Sequence, residues 1–216
     1  MHCYEKPLLT LGHGIVMGGG FGLFSASNFR VVTQRTRLAF PEITIGLFPD
    51  AGGTVVMRNL PPKIAALLTM TGGQVNATDA LALGVGTHLI DHEGRADFLE
   101  GLKQLNWQSG SPDANTEILK KYLATQTHAG GMPSSDVAEV DVENIDLDNV
   151  KASFDSILAL EGTSKWMDRG IANLRNGCPV TAGIIFKQLG LGPTLSLAEC
   201  FMTCLLYTSP SPRDIG

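Results

Sequence analysis

The residues in this chain best suited to chemistry are a run of glycines and two carboxylates that follow it. Gly18, Gly19 and Gly20 stand where an apolar strand candidate turns into a helix, and Glu42 and Asp50 come later, eight residues apart. Glycines at such a turn let a ligand approach the backbone, and the first N–H groups of a helix have no partner within it. Two carboxylates around an acyl carbon can work without a metal. The pattern predicts an acyl-transfer site.

Gly19 is the candidate donor for an oxyanion. Reactions of thioesters or enolates build negative charge on a carbonyl oxygen, and one preorganised N–H donor aimed at that oxygen is worth about 10² to 10³ in rate. At the strand-to-helix turn the N–H of Gly19 would be free, and no side chain would block the acyl group. The same glycines could instead serve only to let the helix pack closely on the sheet.

Glu42 and Asp50 are the candidate acid–base groups. Glu42 follows a proline after an extended segment, so its side chain could project into a cleft, where partial burial would raise its pKa. Asp50 precedes a helix expected to begin near Ala51, and could be either a catalytic group or an N-cap. Residue types alone leave open whether Glu42 would act as a base or as a nucleophile.

The segments that must hold these residues alternate between strands and helices up to about residue 91. Residues 8–12 predict a buried strand, the glycine run opens a helix reaching Ser27, and residues 29–33 predict a second strand. The patterns then predict an extended stretch, three helices and a short strand, at 37–40, 51–60, 63–70, 77–83 and 87–91. Beyond these the apolar spacing is helical, at 94–105, 115–125, 147–160, 164–176, 179–189 and 196–206, with a surface loop at 127–146. The expected class is α/β with a helical C-terminal region.

Composition excludes several classes of function. The 216 residues carry a net charge of -5 with no basic cluster, which argues against a nucleic-acid partner. No apolar run approaches the roughly 18 residues that a membrane span needs, and the start lacks the features of a signal peptide, so we expect an intracellular protein without a membrane partner. The four cysteines lack metal-ligand spacing, which predicts free thiols and no metal. A homo-oligomer is possible.

Two stretches carry a resemblance to a known family. HGIVMGGGFGL at 13–23 and FPEITIGLFPDAGG at 40–53 closely resemble the 3-hydroxyisobutyryl-CoA hydrolase branch of the enoyl-CoA hydratase/isomerase (crotonase) superfamily. The resemblance implies a partial spiral of ββα turns over residues 1–92 and a helical region over 93–203. It also implies an acyl-CoA substrate, with coenzyme A entering as part of that substrate and no separate cofactor.

The resemblance also implies roles for single residues. Gly19, flanked by Gly18 and Gly20, would donate to the oxyanion, while Glu42 and Asp50 would flank the thioester. In hydratases of the superfamily, the position of Gly22 holds a second glutamate, and its absence here argues against hydratase activity. Asp50 in the sequence FPDAGG matches the hydrolase branch, which implies hydrolysis of 3-hydroxyisobutyryl-CoA, a step of valine catabolism. Isomerase- or hydratase-type activity and a non-catalytic role are the alternatives. The compartment would be the cytoplasm in bacteria or the mitochondrial matrix in eukaryotes.

The chain departs from the family at both ends. Family members carry a further segment ahead of the position of Tyr4, which includes a second oxyanion donor. Residues 204–216 resemble the translation of a sequencing adapter, so we expect a non-native tail there. We therefore expect this fragment to be inactive alone. Dinucleotide binding is disfavoured because the glycines at 12, 14 and 18 do not have the G-x-G-x-x-G spacing.

Overall fold

Two small sheets form the N-terminal part of the fold. The computed structural model describes residues 4–126, 128 and 130–208. The strands are β1 (Leu9–Gly12), β2 (Ile15–Met17), β3 (Phe29–Val32), β4 (Arg37–Ala39), β5 (Val75–Asn76) and β6 (His88–Leu89). One sheet is parallel with the order β1-β3-β6, and in the other β4 pairs parallel with β2 and antiparallel with β5. The register places Leu11 opposite Val31 and Val16 opposite Leu38.

The chain crosses from the first sheet to the second just before the glycine run. Gly14 has a φ of 76° there, a conformation that favours glycine, and its carbonyl accepts the N–H of Arg37 at 2.7 Å. The strand predicted at residues 8–12 is confirmed, but β2 was not predicted because three residues are too few to show a periodicity. The glycine run therefore follows β2 rather than β1.

Four helices pack around these sheets. They are α1 (Gly19–Ser25), α2 (Gly53–Arg58), α3 (Pro62–Thr71) and α4 (Ala77–Ala82). The capping of α4 follows from the sequence, since the Asn76 side chain accepts the N–H of Asp79 at 3.1 Å. Apolar side chains of the strands and helices, among them Phe24, Leu38 and Met57, form one buried cluster. This core fixes α1 and α2 side by side.

The remaining helices confirm the predicted helical region. They are α5 (Arg95–Lys103), α6 (Pro112–Ala124), α7 (Val150–Leu158), α8 (Lys165–Asn176), α9 (Pro179–Leu191) and α10 (Leu197–Thr208). Phe98 of α5 packs with Phe29 of β3, and Ile171 of α8 packs in a cluster with Ile43. Because apolar clusters cross residue 92, the division into parts at 1–92 and 93–203 stays a prediction. Most of the predicted tail at 204–216 lies outside the described residues.

The segment before α7 is more than a surface loop, which corrects the prediction for residues 127–146. Buried Asp79 accepts the hydroxyl of Ser135 and the N–H of Asp136, the latter at 3.0 Å. Three apolar side chains of this segment are also buried, namely Val137, Val140 and Ile145. The loop is thus fixed to α4 by polar contacts and to the core by apolar ones, although its composition is typical of exposed loops.

Candidate active site

The glycine turn presents two open backbone N–H groups. Gly18 is the N-cap of α1 with a φ of 54°, and its carbonyl accepts the N–H groups of Phe21 at 2.9 Å and Gly22 at 3.1 Å. The N–H groups of Gly19 and Gly20 donate to no acceptor among the residues that the structure describes, and both glycines are exposed. Such N–H groups can bind a carbonyl oxygen that carries negative charge.

The turn and Glu42 face the same space. A Cβ added at Gly18 would lie 3.3 Å from Oε1 of Glu42, and a Cβ added at Gly19 would meet no described atom within 4 Å. The structure therefore brings Gly18 and Glu42 together, two predicted site residues that are 24 positions apart in sequence. The space next to Gly19 is open, so nothing in the described part of the chain blocks a ligand from approaching its N–H. The catalytic roles of these residues stay predictions.

Glu42 is a buried carboxylate with an unpaired oxygen. It begins a short 3₁₀ helix (Glu42–Ile45) after β4, and the residue is 5% exposed. Its Oε2 is buried and has no hydrogen-bond partner among the described residues. Burial raises the pKa of Glu42 to about 7, its own backbone N–H opposes this rise, and the negative charge of Asp50 adds to it. A carboxylate with this pKa and a free oxygen can accept a proton or attack a carbon near neutral pH.

Asp50 lies in a loop that joins the 3₁₀ helix to α2. The interpretation of Asp50 as an N-cap is wrong, because Gly52 is the N-cap of α2 and no side chain caps that helix. Asp50 is half-buried, and its charge acts on Glu42. The two residues after it have unusual backbones, since φ is 38° at Ala51 and 93° at Gly52. A left-handed conformation at a non-glycine residue costs roughly 1–2 kcal/mol, so surrounding contacts must hold the loop in place.

Gly22 is where this loop meets α1. A Cβ added at Gly22 would lie only 1.9 Å from the carbonyl oxygen of Ala51, so position 22 cannot hold any side chain while the loop keeps its path. The sequence shows only that an acid is absent at position 22. The structure gives the reason, because the backbone next to Asp50 occupies the space that a second glutamate would need.

Helix α9 and the residue before it donate hydrogen bonds to the 3₁₀ helix that contains Glu42 and to the loop that contains Asp50. The N–H of Cys178, just before α9, donates to the carbonyl of Ile43 at 3.1 Å. Further along α9, Nε2 of Gln188 donates to the carbonyl of Pro49 and to Oγ1 of Thr54, each at 3.0 Å. Sequence reasoning assigned no role to these residues. The one available signal was the polar pair Lys187 and Gln188 within a mostly apolar helix.

Clusters of metal-ligating side chains and long apolar helices are both absent from residues 4–126, 128 and 130–208. Within the described part of the chain, no group of three or more His, Cys, Asp or Glu side chains could hold a metal ion. Among the same residues, no helix is long and apolar enough to cross a membrane. Cys178 and Cys200 are free thiols. The expectation of no separate cofactor stays a prediction.

Comparisons of the sequence find curated relatives. The chain is 32% identical over 202 residues to the mitochondrial 3-hydroxyisobutyryl-CoA hydrolase of Xenopus tropicalis, and 31% identical over 201 residues to that of Homo sapiens. These alignments cover 91% and 90% of this chain and 50% of each relative. The chain therefore spans about half the length of the curated relatives it matches.

Solved structures show the same fold. A carnitinyl-CoA dehydratase from Mycobacterium thermoresistibile matches with a TM-score of 0.76 and 25% identity, covering 94% of this chain and 56% of that one. An enoyl-CoA hydratase from Rhodobacter sphaeroides matches with a TM-score of 0.73 and 22% identity, covering 93% and 54%. The predicted crotonase-like α/β fold is thus confirmed. A sequence model described as Enoyl-CoA hydratase/isomerase matches residues 1–208, and the chain belongs to the enoyl-CoA hydratase/isomerase family.

Proposed function

We propose that the protein hydrolyses a β-hydroxyacyl-CoA thioester, converting 3-hydroxyisobutyryl-CoA to 3-hydroxyisobutyrate and coenzyme A in valine catabolism. The observation that carries the proposal is the buried, partly unpaired carboxylate of Glu42 beside the glycine turn. The relatives named above are 3-hydroxyisobutyryl-CoA hydrolases, which supports this substrate. Their mitochondrial names support the matrix as the compartment if the source is eukaryotic. A homo-oligomer stays a prediction.

In this mechanism the thioester carbonyl lies between the glycine turn and Glu42. The N–H of Gly19 donates to the carbonyl oxygen and stabilises the charge that develops there. Glu42 either attacks the carbonyl carbon and expels the thiolate of coenzyme A, leaving an anhydride that water cleaves, or takes a proton from a water that attacks in its place. Asp50 orients the substrate hydroxyl or assists proton transfer to the leaving sulfur.

The alternative within the family is isomerase- or hydratase-type activity. A single base such as Glu42 with Asp50 could move a proton along an acyl chain, and both acids are present for that purpose too. Addition of water across a double bond uses a second glutamate at position 22 in the hydratases that this chain resembles. The contact between Gly22 and the carbonyl of Ala51 disfavours that route. The raised pKa of Glu42 disfavours a non-catalytic role, because strongly shifted pKa values are typical of functional sites.

The test compares hydrolysis and hydration in the full-length protein that carries this sequence. Thiol release from 3-hydroxyisobutyryl-CoA and water addition to crotonyl-CoA are measured with wild type, Glu42→Gln and, as a control, Glu139→Gln, which changes an exposed acid. We expect hydrolysis by wild type, with kcat/KM rising with pH through about 7 as Glu42 ionises. Glu42→Gln should lose about 10² to 10⁴ in kcat. Near-normal hydrolysis by Glu42→Gln, or hydration faster than hydrolysis in wild type, would contradict the proposal.

A further inference from the structure

Gln188 is a buried amide whose two ends differ in their partners. The residue is 3% exposed, and its Nε2 donates both to the carbonyl of Pro49 and to Oγ1 of Thr54. Its Oε1 is buried and has no partner among the described residues. The reverse orientation of the amide would place Oε1 against the carbonyl of Pro49, two acceptors facing each other, so the donors must face the loop.

The cost and the benefit of the amide at position 188 lie at its two different ends. An unpaired buried amide oxygen costs free energy, and an apolar side chain of similar size would avoid that cost but would leave the carbonyl of Pro49 without its Nε2 donor. Both apolar and polar side chains lie around the amide, among them Ile184 and Lys187 of α9. The amide contributes N–H donors to Pro49 and to Thr54, which lie on either side of Asp50, Ala51 and Gly52. These two hydrogen bonds point to a role beyond packing.

We infer that Gln188 is a positioning residue that holds Asp50 in place relative to Glu42, by joining Pro49 and Thr54 across the loop that carries Asp50. The inference rests on the proposed function, in which Asp50 acts beside the thioester. Between the two contacts lies Ala51, a non-glycine residue with a φ of 38°, which would otherwise relax toward a commoner conformation. Without the amide we expect the loop to open and Asp50 to move toward solvent.

The position of Asp50 can be measured through Glu42. Among the described residues, Asp50 is the charged group that raises the pKa of Glu42, while burial has the larger effect and the backbone N–H of Glu42 lowers it. If the loop opens, the charge of Asp50 moves away and water reaches Glu42. Both changes lower the pKa of Glu42. A residue that only stabilised the fold would reduce the folded fraction and leave this pKa unchanged.

The test uses Gln188→Met, which keeps the length of the side chain and removes the donors, in the full-length protein that carries this sequence. Lys187→Met, at the adjacent exposed position, is the matched control, and Asp50→Asn shows how much of the pKa depends on that charge. For Gln188→Met we expect kcat to fall about tenfold, KM to stay within about twofold, and the pKa of Glu42 to fall at least as far as in Asp50→Asn. Lys187→Met should change none of these.

The pKa is followed by NMR with ¹³C-labelled glutamate, so this readout does not depend on turnover. An unchanged pKa of Glu42 in folded Gln188→Met would overturn the inference, whatever happens to kcat. A lowered pKa supports it even if wild type shows no hydrolysis, a result that would defeat only the proposed function. Gln188→Leu, which also lacks donors, takes the place of Gln188→Met if that variant does not fold.

Discussion

Substitution of Gly22 tests the contact that separates this site from that of a hydratase. Ordinary contacts of a Cβ begin near 3.4 Å, and in Gly22→Ala the new atom would lie 1.9 Å from the carbonyl oxygen of Ala51. The loop or α1 must therefore move by about 1.5 Å. Overpacking of a filled core costs about 1–3 kcal/mol, and we expect the upper end here because the obstacle is backbone rather than a flexible side chain. Gly22→Ala should lose about 3 kcal/mol of stability.

Gly20 provides the matched control, since it lies in the same helix two positions away. A Cβ added there would have Val16 as its nearest neighbour, at 4.0 Å, so the methyl group fits. Alanine is favoured over glycine within a helix by roughly 0.5–1 kcal/mol, and Gly20→Ala should be neutral or slightly stabilising. The free energy of unfolding is measured by urea titration with circular dichroism. The reasoning is wrong if the free energy of unfolding of Gly22→Ala lies within about 0.5 kcal/mol of the wild-type value. It is also wrong if Gly20→Ala loses as much free energy of unfolding as Gly22→Ala.

Two further predictions concern stability. The pKa of Glu42 in the folded state, about 7, is above its ordinary 4.5, so the stability linked to its proton is complete below pH 4.5 and lost as the pH rises through 7. Glu42→Gln should therefore match wild type at pH 4 and exceed it by about 3 kcal/mol at pH 8 in urea titrations, and equal stability at both pH values would contradict a raised pKa. Asp79→Ala leaves the Ser135 hydroxyl and the Asp136 N–H without their buried acceptor and should cost about 2–3 kcal/mol, whereas Asp148→Ala, at an exposed acid, should change stability by under about 0.5 kcal/mol in the same titration.

The sequence by itself predicted the elements whose signals are local. Strand β1, the cap of α4 at Asn76 and the six C-terminal helices followed from periodicity, capping residues and prolines, because these signals act over a few positions. The glycine run, Glu42 and Asp50 were identified as candidates by residue type and by resemblance. Strand β2 was missed because it is short, and the burial of Val137, Val140 and Ile145 was missed because the composition around them is typical of exposed loops.

Tertiary structure decided what those candidates can do. The raised pKa of Glu42 depends on its burial, and the interpretation of Asp50 as a cap failed only when the path of its loop was known. The contact of Gly22 with Ala51 and that of Gln188 with Pro49 join residues 29 and 139 positions apart. Local sequence patterns do not predict such contacts, because the contacts form only when distant segments pack together. The free energy of a buried carboxylate or an unmet amide oxygen is set by that packing.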